Sequence, residues 1–315
     1  MSVPFADDLA AAAARTATPL LLAALGETIA EKSGVLNVGL EGTMLAGAFA
    51  GFVAGHLSGD PLVGLAAALA TGTAFAALFG ALAIGARLDQ VIAGLFVNLL
   101  AAGLTALAFR ELFRADVFAA RSTAVRSTPF EEAGFPFLDG VPVLGPFLRQ
   151  TPLTWAALAL VPAIGFVLGR TRAGLAIRAA GESPEAADAL GVRVGRVRFL
   201  CCLAMGALAG AAGASLTLAQ SDTFVEGMTA GRGFIALAIV IFGRWRPAGV
   251  LLASLFFGAA SALQFRFQAL GFSLPHTVFL ALPYVLTLAC LFVFGYGRRS
   301  RAPAALARPY AREGT

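Results

Sequence analysis

The chain has 315 residues, of which 58% are hydrophobic and only 13% charged, with a mean hydropathy of +0.82. A soluble domain of this length needs far more charge to cover its surface, so composition argues for an integral membrane protein. The net charge of +5 is modest and spread along the loops, which gives no support to nucleic-acid binding; Lys32 is the sole lysine, and the arginines read as topology signals.

A membrane-crossing helix needs about 20 mostly apolar residues. In chain order, such segments fall at 9–31, 35–57, 62–86, 90–113, 153–169, 197–219, 232–243, 247–268 and 277–296. Residues 232–243 are too short to cross alone. They are expected to extend back through the polar residues 222–231 as a broken helix. The fold class is therefore all-α, with about nine transmembrane, broken or re-entrant helices in one polytopic domain over residues 1–300. The opening residues MSVPFADDLA carry Asp7 and Asp8 and no basic stretch, unlike a cleaved signal peptide.

The first unusual stretch is GETIAEKSGVLNVGLEGTMLAGAF, from Gly26 to Phe49. Polar groups inside a membrane are expensive, so they line a cavity or satisfy broken backbone. Asn37, Glu41 and Asn98 lie within apolar runs, and a place on a translocation path or at a helix break is expected for each. Glu31 and Lys32 have a plainer alternative, pairing at the membrane interface. Gly26 to Ser33 nearly matches a phosphate-binding loop, but Glu31 stands where a glycine should approach the phosphate, and no strand precedes it. That excludes ATP binding through this motif. Glu27 and Glu31 share a helix face at a spacing of four, yet no nucleophile or metal-ligand cluster joins them, so no catalytic residue is assigned.

Arginine counting sets the expected orientation. Residues 170–198 hold Arg170, Arg172, Arg178, Arg193, Arg196 and Arg198; the GRWRP turn adds Arg244 and Arg246; the tail 301–315 adds more. Even numbers of spans separate these places, so all are expected to be cytoplasmic, together with Arg87. The near-neutral loop 114–152 then faces outward. If 35–57 crosses fully, the N-terminus is outside; if it is re-entrant, the N-terminus is inside.

Within the basic loop, GESPEAADALGVRVGR predicts a short amphipathic helix over Pro184, Glu185, Ala186, Ala187, Asp188, Ala189 and Leu190, with Ser183 as N-cap and Gly191 as its stop. A capped helix outside the membrane is a handle for a cytoplasmic partner. A weak internal echo relates residues 41–64 to 226–249: each has an EG start, a small-residue helix, a tight turn with a proline and a further apolar span. Such repeats of two halves occur in transporters, with broken helices at matching positions. Dense glycine spacing, as in Gly47, Gly51 and Gly55, permits close helix contact. Cys201 and Cys202 are adjacent and Cys290 is distant, while His56 and His276 are far apart, so neither a metal site nor a cofactor is expected.

GETIAEKSGVLNVGLEGTMLAGAF resembles the signature of permease subunits of ABC importers in the branched-chain amino acid/simple sugar family, nearest to nucleoside-type permeases that work with Bmp-like lipoproteins. RTRAGLAIRAAGESPEAADALGVRVGRVRFL resembles that family's cytoplasmic coupling loop. DQVIAGLFVNLLAAGL and GRGFIALAIVIFGRWRPAGVLLASLFFG resemble two further blocks. The resemblance covers about residues 20–295. It implies half of a channel in the bacterial plasma membrane that carries nucleosides or related small polar solutes. A second related permease, a cytoplasmic ATP-binding subunit and an extracytoplasmic substrate-binding lipoprotein complete the machine. The helix from Pro184 to Leu190 would contact the ATPase. The polar breaks at 37–42 and 231–234 would lie near the path, with Phe224 and Phe234 offering rings to a planar base.

Other readings are weighed beside it. The same machine could carry a simple sugar, an amino acid or a vitamin. An ion-coupled secondary transporter needs deep paired carboxylates, and Glu41 alone answers that description. A membrane enzyme lacks a catalytic constellation.

Overall fold

The computed structural model describes residues 3–113, 126–132, 149–269 and 302–310. The expected span 277–296 and most of the loop 114–152 lie outside the described residues. The regular structure is helical: α1 (Val3–Lys32), α2 (Leu40–Ser58), α3 (Pro61–Gly80) with a π-helical turn (Ala81–Gly85), α4 (Gln90–Leu112), α5 (Pro152–Arg170), α6 (Arg172–Glu182), α7 (Pro184–Ala189), α8 (Val194–Ala219), α9 (Arg232–Phe242) and α10 (Pro247–Ala269).

Among the described residues, six helical stretches are long and apolar enough to cross a membrane: Leu9–Lys32, Pro61–Gly85, Gln90–Leu112, Pro152–Arg170, Val194–Ala219 and Pro247–Gln264. Helix α2 carries Glu41 and His56 in its end turns, which lowers its hydropathy, and α9 has only 11 residues. The first falls outside the six by its polarity and the second by its length.

Local chemistry fixes several boundaries. The Asp60 side chain accepts the Leu62 N–H at 2.8 Å, with Pro61 at the first helical position, and so starts α3. Asp89 accepts from Val91 at 2.8 Å and Ile92 at 3.0 Å and starts α4. Gly191, at φ +86°, ends the α7 turn as its sequence foretells. Ser183 differs from expectation: Pro184 occupies N1, but the serine hydroxyl makes no cap bond. Its carbonyl instead accepts the Ala187 N–H at 3.0 Å.

Helix α1 runs through the centre of the bundle and packs on α5, α6, α8, α9 and α10, with Ala23, Ala24 and Leu25 fully buried. Helices α2 and α3 clamp α8 through small residues. A Cβ on Gly47 would fall 2.5 Å from the Gly210 Cα, and one on Gly72 would fall 2.2 Å from the Gly206 carbonyl oxygen. Only glycine allows helices this near, and the gain is dispersion contact between backbones.

Two helical spans expected from composition are replaced in part by irregular chain. Residues 33–39 are turns and extended backbone, so α2 begins at Leu40 rather than 35. Residues 220–231 are also irregular, and α9 does not reach back through 222–231. Each segment runs into the bundle from one end and hands over to a helix that continues from there. The α2–α3 turn lies at the end near Ser127 and Asp222, since His56 Nδ1 bonds the Arg126 carbonyl oxygen. The α9–α10 turn lies at the opposite end, where Trp245 meets Glu31 of α1. The two helix–turn–helix pairs thus run in opposite senses, and Pro61 and Pro247 open their second helices. The EG echo does not carry over residue by residue. Glu41 sits in the first turn of α2, whereas Glu226 lies in the loop before α9 and pairs with Arg110.

Candidate functional site

The two breaks meet. Backbone that leaves a helix inside an apolar bundle needs partners for each freed N–H and C=O. In the first break, the Leu36 N–H donates to Gln90 Oε1 at 2.8 Å and the Asn37 N–H to Glu27 Oε1 at 2.8 Å. The Asn37 side chain accepts the Gly39 N–H at 2.8 Å, and its Nδ2 lies 3.4 Å from the Met205 sulfur. From α4, Asn98 accepts the Gly42 N–H at 2.7 Å and donates to the Val38 carbonyl at 3.0 Å. The break is tied by side chains from three helices.

Glu41 joins this break to the second one. Its carboxylate accepts the Gly231 N–H at 2.8 Å through Oε1 and the Gly233 N–H at 2.6 Å through Oε2. It therefore caps the N-terminus of α9, where backbone dipoles favour negative charge. Glu41 is itself in the first turn of α2, so one carboxylate serves two helix starts that point apart. Gly231 has φ +81°, and a Cβ on Gly233 would fall 2.5 Å from the Glu41 backbone. Both positions demand glycine.

The expected path residues divide by exposure. Asn37 is fully buried, and Phe224 is enclosed in an aromatic cluster with ring centroids 5.2 Å from Phe49 and 5.4 Å from Phe109. Neither faces open space. Glu41 and Asn98 are half-buried at the junction. Phe234, one residue beyond the Glu41-bound Gly233, is 48% exposed on the open face of α9.

At the arginine-rich end, α7 buries Pro184 and Ala187 and exposes Glu185, Ala186 and Ala189, with Asp188 between, and the Gly191 that follows is exposed. Leu190 is 86% exposed, an unusual state for a large apolar side chain.

Sequence reasoning missed four partners. Gln90 and Trp245 carry no local pattern that marks them. Glu31 is buried and accepts from Trp245 Nε1 at 2.5 Å, instead of reaching out to water. Arg198, also buried, donates to the carbonyls of Ser33, Ala180 and Arg308. Arg198 is one of three arginines at the start of an apolar helix, with Arg193 and Arg196, and nothing local marks it as the buried one. No group of side chains suited to a metal ion occurs among the described residues.

A family model described as branched-chain amino acid transport system / permease component matches residues 9–293. The chain belongs to that permease family. Similar proteins include the putative glucose ABC transporter permease protein TsgC13 of Haloferax volcanii, 39% identical over 98% of this chain and 99% of that one. The guanosine ABC transporter permease protein NupQ of Bacillus subtilis is 35% identical over 93% of each chain. The nucleoside ABC transporter permease protein NupC of Lactococcus lactis is 35% identical over 88% of this chain and 89% of that one. The permease is thus a multi-pass membrane transport subunit of the ABC class. Its two broken helices lie within the matched region.

Proposed function

We propose that this permease forms half of the channel of an ABC importer for nucleosides, in a bacterial plasma membrane. The observation that carries the reading is the junction at Glu41, where α2 and the short α9 both begin inside a bundle of membrane-length helices. Half-helix N-termini at such a depth are a recurrent way to build a polar waypoint in an apolar medium. Asn37 and Asn98 hold the backbone that shapes the waypoint, and Phe224 packs beside it among Phe49, Phe52 and Phe109. Phe234 offers its exposed ring to a planar base. The resemblance to the guanosine and nucleoside permeases supports that substrate class.

A second related permease completes the channel, and a lipoprotein delivers substrate from outside, where the loop 114–152 faces. A cytoplasmic ATPase docks on Pro184 to Gly191, with Leu190 as the apolar anchor. A sugar is the second reading, supported by 39% identity over nearly the full length to the putative glucose permease.

Uptake of radiolabelled nucleosides by cells carrying the whole transporter, in competition with sugars, amino acids and riboflavin, tests the substrate. Saturable uptake that needs an intact ATPase and is blocked by other nucleosides is expected. ATP-dependent uptake blocked by glucose instead replaces nucleosides with sugars. Uptake by this chain alone on an ion gradient overturns the ABC reading.

A further inference from the structure

The C-terminal segment 302–310 does not trail off the bundle. It lies between the α6–α7 loop and the first helix break. The Ala305 N–H donates to the Gly181 carbonyl at 2.9 Å, and the Ala307 N–H to the Gly34 carbonyl at 3.1 Å. The Ala304 N–H donates to Glu182 Oε2 at 3.1 Å. Tyr310 packs against the buried cluster of Ala180, Ala187 and Val194, which includes the inward face of α7.

Arg198 closes the knot. Its guanidinium donates to the Ser33 carbonyl at 3.1 Å, the Arg308 carbonyl at 2.9 Å and the Ala180 carbonyl at 3.3 Å. One buried side chain therefore bonds the break, the tail and the end of α6 at once. The planar fork of five donors suits this use, which a lysine ammonium could not reproduce in the same geometry. The fit around it leaves no slack. A Cβ on Gly34 would fall 2.7 Å from the Arg198 guanidinium, and one on Gly181 would fall 2.3 Å from the Lys32 carbonyl oxygen. From Ser33 the chain runs directly to Asn37, whose N–H is held by Glu27.

We propose that residues 302–310 are a clasp that ties α7 to the first helix break, so that displacement of α7 is carried through Arg198 and Gly34 to the junction at Asn37 and Glu41. The clasp acts as a positioning element and touches no substrate. It rests on the reading of α7 as the ATPase-docking helix. Hydrogen-bonded elements with few alternative arrangements transmit motion rather than absorb it, and the coupling is measurable as a change in the ratio of transport to hydrolysis.

The test uses the complete transporter in proteoliposomes, with ATP hydrolysis and uptake measured together. Three forms are compared with wild type: a chain ending after Arg301, Tyr310→Ala, and residues 185–189 replaced by a glycine–serine linker. Removing the tail is expected to leave hydrolysis within about twofold while uptake per ATP falls about tenfold, with Tyr310→Ala in between. Wild-type uptake per ATP in the chain lacking its tail overturns the clasp. So does Tyr310→Ala that assembles normally and loses hydrolysis and uptake in proportion, because that marks a purely structural role. Should the shortened chain fail to assemble, Tyr310→Ala decides alone. If the linker form transports normally, the docking reading of α7 falls. If the linker form uncouples and both tail variants do not, the clasp alone falls.

Discussion

Replacing Glu41 is expected to loosen the junction between the two halves of the fold. In Glu41→Ala, the N–H groups of Gly231 and Gly233 lose an acceptor held at 2.8 and 2.6 Å. Hydrogen bonds to a charged group contribute about 1.5–3 kcal/mol each, so the pair is worth about 3–6 kcal/mol. The helix-terminus interaction adds about 0.3–1 kcal/mol. Water reaching the half-buried site offsets part of this sum. Glu41→Gln keeps one acceptor oxygen but turns an NH2 group towards a backbone N–H, so roughly half the loss is expected. Glu41→Asp is shorter by one methylene and cannot hold both donors in the same geometry. The assay is the melting temperature of the purified protein in detergent, read by loss of the monodisperse peak after heating. The expected order is wild type, then Gln, then Ala, with transport falling in the same order. Wild-type melting in Glu41→Ala would refute the view that this carboxylate joins the halves.

Other substitutions probe the packing around the junction. Gly72→Ala forces α3 off α8, at a cost of about 1–3 kcal/mol, while Gly103→Ala, whose added Cβ meets nothing within 4 Å, is expected to be neutral or slightly stabilising. Melting of the two variants side by side checks this, and equal effects would contradict the glycine seam. Trp245→Phe keeps an aromatic ring, smaller than the indole, and removes the donor to buried Glu31, for an expected loss of at least about 1–3 kcal/mol in the same assay. Arg110→Ala breaks an exposed pair with Glu226 and is expected to leave the melting temperature unchanged.

The parts legible in the sequence were those written in local pattern. Apolar length marked α3, α4, α5, α8 and α10 to within a few residues, and Gly191 marked the stop of α7. The polarity between Glu27 and Glu41 marked a break, but not its extent. Residues 33–39 stay out of a helix because Gln90, Glu27 and Asn98 answer their backbone groups, and two of those three lie on a different helix. Glu41 and its donors are 190 and 192 residues apart. No periodicity reports a pairing at that distance. The tail read as a run of arginines fit for topology counting, because its bonds to Gly34 and Gly181 go through backbone N–H groups, which any sequence supplies.

We propose that the transport path runs past the helix break along the open face of α9. The most direct measurement is labelling of Phe234→Cys by a hydrophilic, membrane-impermeant thiol reagent, in a chain whose native cysteines are replaced and within the assembled transporter. Labelling from water that slows in the presence of transported nucleoside is the expected result. A cysteine there that reacts only with lipid-soluble reagents, at a rate indifferent to nucleoside, would contradict it.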